Sequence, residues 1–106
     1  MSKPLAYLSG KITGDPNYKA KFAGWAALYR GMGFEVINPV ELDTDDQEYW
    51  VDPICRDLRL LSEREPDFIV MLPDWSESPG AIIEHVAATM KFGVTAIYEK
   101  PQELVI

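Results

Sequence analysis

Cysteine is almost absent from this chain, with Cys55 alone among 106 residues. A lone thiol cannot close an internal disulfide, so the apolar core has to hold the fold, and a reducing, cytoplasmic setting is expected. On a helix with apolar neighbours, Cys55 itself reads as a small buried side chain. Histidine is as scarce, with His85 alone. No His/Cys/Asp spacing of the zinc kind is present, and neither a metal nor a cofactor is expected. Positive charge is also short: ten Lys and Arg stand against seventeen Asp and Glu, for a net charge of −7. That balance repels a nucleic-acid polymer, and no local run of bases offsets it. No apolar run resembles a signal peptide or a membrane span. Glycine is not spaced for a phosphate-binding loop: Gly10 and Gly14 match neither a P-loop nor a dinucleotide fingerprint, which sets aside ATPase and Rossmann oxidoreductase readings.

What remains is a chain 47% hydrophobic, enough for one domain over residues 1–106 with a core of its own. The apolar run from Leu5 to Ser9, bounded by Gly10, predicts a buried strand. A loop follows over 10–17, where Asp15 or Asn17 can cap a helix running from Tyr18 to about Met32. Phe22, Trp25, Ala26 and Tyr29 give that helix its periodic stripe, and Gly31 or Gly33 stops it. Phe34 to Asn38 predicts a second strand, and an acidic loop leads to a helix from about Glu48 to Ser62 with Trp50, Ile54, Leu58 and Leu61 inward. Phe68 to Leu72 predicts strand three, Pro79 to Phe92 helix three, and Val94 to Tyr98 strand four. The segment Pro101 to Ile106 leaves room for a short edge strand. Strictly alternating βαβαβαβ units make a parallel sheet with helices on both faces, here in the order 2-1-3-4.

The densest chemistry lies between Phe68 and Glu84. An apolar strand ends at Asp74, and a helix then opens carrying Glu84, which predicts two acids aimed at one spot. Ser78 followed by Pro79 has the chemistry of an N-cap and first helical residue, leaving the Gly80 and Ala81 N–H groups for an anion. Open α/β sheets bind their ligands at this edge. One turn to either side of Glu84 stand Gly80, Ala81, Ala87 and Ala88, a face of small residues that admits a ligand or a closely packed helix. A surface Glu complementing the helix dipole is the plainer reading of residue 84 taken alone. Asp57 borders the apolar stripe of helix two, where desolvation or an ion pair with Arg56 or Arg59 awaits it. Burial and a nearby Glu84 would keep one acid protonated while the other stays ionised. Tyr7, Ser9, Gly10 and Lys11 end strand one and border the same crevice. His85 follows Glu84 but points about 100° away around the helix, towards packing rather than chemistry.

These residues resemble the nucleoside 2-deoxyribosyltransferase superfamily, above all its small phage and bacterial branch. The resemblance runs from Tyr7 to Tyr98 and rests on Tyr7-Leu-Ser-Gly-Lys-Ile-Thr-Gly14, Val36-Ile-Asn-Pro39, Arg56-Asp-Leu58, Asp74, Ser78-Pro-Gly80 and Glu84. It implies a flavodoxin-like α/β fold and cleavage of the N-glycosidic bond of a nucleoside or nucleotide. Glu84 is implied as the nucleophile on the anomeric carbon, with Asp74 helping to protonate the departing base and Asp57 assisting. Ser78, Gly80 and Glu84 are spaced as in enzymes similar to the 2′-deoxynucleoside 5′-phosphate N-hydrolases. There the serine helps bind phosphate, and Ser9, Gly10 and Lys11 become further phosphate candidates. A homodimer or larger homo-oligomer is implied as well. Two other functions fit the same residues: a nucleotide-sensing or phage–host interaction module that binds without turnover, and a structural partner whose small-residue face is a helix-packing seam.

Overall fold

The computed structural model describes residues 3–42 and 53–101. Strand β1, Leu5–Ser9, lies at the centre of the sheet and pairs in parallel with β2, Glu35–Ile37, and with β3, Phe68–Met71. Strand β4, Thr95–Tyr98, pairs in parallel with the far side of β3. The order is β2-β1-β3-β4, all parallel, which with its helices is a flavodoxin-like α/β arrangement. Strand order reverses between β1 and β3, so the crevice at their carboxyl ends is where such a sheet receives a ligand.

Side chains alternate across the sheet, and the two faces have separate cores. Ala6, Leu8, Val70 and Leu72 point to one face, against Phe22, Ala26 and Tyr29 of helix α1, Tyr18–Gly31. Tyr7, Ile37, Ile69 and Met71 point to the other. That second face is covered by α2, Pro53–Arg64, through Leu61, and by α3, Pro79–Val86, through Ala81, with Ala88 just beyond it. Both faces of β3 are buried, which is why Phe68-Ile-Val-Met71 reads as an unbroken apolar run rather than an alternating one.

The elements fall where periodicity places them, with local differences. Helix α1 ends at Gly31 as expected, and Gly33, at φ +98°, makes the left-handed turn into β2. Its start differs: Asn17 makes no side-chain cap bond, and the Asp15 carboxylate turns back to Lys21 Nζ (2.6 Å) while accepting the Asn17 N–H (2.9 Å). Helix three is α only to Val86; from Ala87 to Lys91 it widens to a π turn, and the Phe92 N–H reaches five residues back to the Ala87 carbonyl at 3.1 Å. Cys55 is exposed on α2, not buried, because it lies off the Ile54, Asp57, Leu58, Leu61 stripe. The expected start of helix two at Glu48, its inward Trp50 and the edge strand over 102–106 lie outside the described residues.

Candidate active site

Two residues apart on β1, Tyr7 and Ser9 share the face that α2 and α3 cover, and both reach one carboxyl group. Tyr7 Oη donates to Glu84 Oε2, and Ser9 Oγ donates to Glu84 Oε1 at 2.9 Å. Glu84 occupies the middle of the buried stripe of α3, with Ala81 and Ala88 on either side, and is only 6% exposed. Asp57 occupies the matching place on α2, three residues after Ile54 and four before Leu61, and is 7% exposed. The parallel crossovers bring the two helices onto one sheet face, and these central positions meet. Asp57 lies within hydrogen-bonding reach of Glu84, and Arg56 Nε donates back to Asp57 Oδ1 at 3.2 Å.

The electrostatics follow from this crowding. Burial pushes the Glu84 carboxyl up to about 8 from an ordinary 4.5; the Tyr7 bond pulls against that rise, and the Asp57 charge adds to it. Tyr7 is held far above the usual phenol range, first by burial and then by the Glu84 and Asp57 charges. Tyr7 therefore stays a donor at any ordinary pH. The arrangement is a pair of buried carboxyls, one of them clasped by two fixed hydroxyls.

The acid paired with Glu84 is thus Asp57. Asp74 belongs to a second cluster at the rim of the crevice, where its Oδ1 accepts the Lys11 N–H at 3.1 Å and its Oδ2 is ion-paired with Lys21 Nζ. Lys21 also donates to the Lys11 carbonyl and to Asp15 Oδ2, each at 2.6 Å. Partial burial works against the Lys21 ammonium, but the bonds to Asp15 and Asp74 outweigh it and raise its pKa. Lys21 carries no motif and was not expected at the site; a cation near the start of α1, just after the loop that leaves β1, is the signal for it.

The remaining candidates have separate duties. Ser78 caps α3 through Oγ, which accepts the Ala81 N–H at 3.2 Å, so that N–H is not open to an anion as expected. Lys11 Nζ lies 3.8 Å from the Glu77 carboxylate. Gly10 permits close approach: a Cβ there would stand 2.9 Å from Leu72 Cβ. Gly80 faces Ile54 of α2, whose Cδ1 would lie 2.8 Å from an added Cβ. Gly80 against Ile54, and Ala81 and Ala88 in the core, are therefore packed by the protein itself rather than left open. His85 packs as expected, with its ring 4.8 Å from that of Trp75 and its Nε2 2.6 Å from Tyr98 Oη. A separate groove of about 660 Å³ runs along α1 beside Pro73, lined in part by Lys21, Gly24, Trp25 and Leu28. Among the described residues no group of three or more His, Cys, Asp or Glu is placed to hold a metal ion, and no helix is long and apolar enough to cross a membrane.

A family model described as a domain of unknown function (DUF4406) matches residues 4–98, from just before β1 to the end of β4. No curated protein and no solved structure matches the chain.

Proposed function

We propose that this chain, which belongs to the DUF4406 family, cleaves the N-glycosidic bond of a nucleoside 5′-monophosphate or nucleoside, and that it is a small relative of the nucleoside 2-deoxyribosyltransferases. The observation that carries the reading is a buried glutamate at the switch point of a parallel sheet, fixed by Tyr7 and Ser9 and coupled to Asp57. A carboxyl kept in such a place at the cost of desolvation has a use beyond packing.

In this scheme Glu84 gives up its proton and its carboxylate attacks C1′ of the sugar, forming an ester. The C1′–N bond breaks, its electron pair leaves with the base, and the base takes up a proton from solvent. The Glu84 proton passes to solvent with Asp57 assisting beside it, while Asp74, steadied by Lys21, contacts the base. Water then cleaves the ester, or a second base replaces the first. Lys11, Ser78 and the backbone at Gly10 and Gly80 are the candidates for holding a 5′-phosphate in this reading. The exposed stripe Ile82, Ile83, Val86 and Met90 on the outside of helix three supports association of copies into a dimer or larger assembly. The single free thiol supports a cytoplasmic setting.

The test is release of free base from a panel of nucleosides and their 5′-monophosphates. Wild-type protein is expected to release base from at least one, and Glu84→Gln, which keeps the shape and one of the two acceptor oxygens, is expected to lose at least about 10³-fold in rate. A second reading, nucleotide binding without turnover, is favoured by the occupation of both Glu84 oxygens. It predicts thermal stabilisation by a nucleotide with no base released and little change in binding on Glu84→Gln.

A further inference from the structure

Arg56 carries a charge that bears on the pair of buried acids. Its Nε donates to Asp57 Oδ1 at 3.2 Å, and its charge acts on Tyr7 in the direction opposite to those of Asp57 and Glu84. Among the described residues, Tyr7 and Ser9 from β1 and Asp57 from α2 face Glu84, with Arg56 beside Asp57. Both hydroxyls act on Glu84, one on each oxygen, while the cation acts on Asp57. Two carboxyls this close do not both ionise readily, so the pair holds one proton over a range of pH and its partners decide where that proton rests.

We propose that Arg56 is a positioning residue for this pair: its guanidinium holds Asp57 as the anion, so that the shared proton rests on Glu84 and leaves from there. This deepens the glycosidase reading and rests on it for the substrate, because a nucleophile must ionise near neutral pH and Arg56 sets where that happens. With the cation gone, both acids hold protons more tightly, and Glu84 ionises only at higher pH. The Arg56 side chain is 32% exposed, so solvent screens part of its effect and a shift of about one pH unit is expected.

The experiment is a titration of the Glu84 carboxyl by ¹³C NMR on protein labelled at Glu and Asp, which needs no turnover. Arg56→Met should raise the Glu84 midpoint by about one unit, and part of the titration should appear at Asp57. Arg56→Lys, which keeps the charge, should stay closer to wild type. Asp57→Asn should lower the Glu84 midpoint, because the neighbouring negative charge is gone. A folded Arg56→Met with an unmoved midpoint overturns the proposal, and so does an unmoved midpoint in Asp57→Asn. Should wild type release base, the ascending limb of its kcat/KM profile should shift upward with the same variant. Absence of base release with the NMR shifts intact removes the glycosidase reading and leaves the role of Arg56 standing.

Discussion

The carboxyl of Glu84 couples the site to stability. Its pKa in the folded protein lies above its unfolded value, so between the two the folded state holds a proton that the unfolded chain has released. Its contribution is fully present below about 4.5 and is lost as pH rises through about 8. The melting temperature should therefore fall as pH rises from 5 to 8, and in Glu84→Gln that decline should flatten. A decline of equal slope in both proteins, followed by thermal melts across the range, removes Glu84 as its source. The unusual setting of residue 84 was legible from the sequence, because a glutamate flanked one turn away by small residues stands out on a largely apolar helix. Its true partner was less so. Asp74 is closer in sequence and ends a strand, but partnership is set by sheet face. A three-and-four spacing on α2 placed Asp57 on the right face, while Asp74 left the strand towards Lys21.

Packing between elements turns on two glycines that differ in what they meet. An alanine at position 10 would place its Cβ 2.9 Å from Leu72 Cβ, an atom fixed to the chain just beyond β3. At position 80 the obstacle is Ile54 Cδ1, the far end of a flexible side chain. Gly10→Ala should cost about 2–3 kcal/mol in chemical denaturation, whereas Gly80→Ala should stay below about 1 kcal/mol as Ile54 turns aside. Equal costs would show that the two approaches are alike. Alternation of strands and helices, the strand order and the Ser78 cap were all legible, because each rests on local rules of period and capping. The π turn from Ala87 to Lys91 was not: no proline or glycine marks it within that span, and its wide bond from Phe92 to Ala87 appears only in the folded backbone. The exposure of Cys55 was missed for the opposite reason, since the residue type outweighed its position one step off the buried stripe.

Across the whole molecule, the outer side of helix three stands out among the described residues as an exposed apolar stripe. Ile82, Ile83 and Val86 are each at least 40% exposed and Met90 is 82% exposed, in a chain whose net charge is −7. If copies associate through this stripe, light scattering should report a multiple of the 12.0 kDa chain mass, and Val86→Glu should reduce it to the monomer. A wild-type protein that is already monomeric at micromolar concentration removes that part of the proposal. The central sheet, in turn, divides the molecule into two compartments that share almost no side chains. Residues 7 and 9 are held to their identities by what they bond, whereas residues 6 and 8 answer only to the space beneath α1. For protein engineering this partition is an opening: the α1 compartment can be rebuilt with volume-matched substitutions to harden the scaffold, while the groups gathered around the glutamate on the opposite side keep their places.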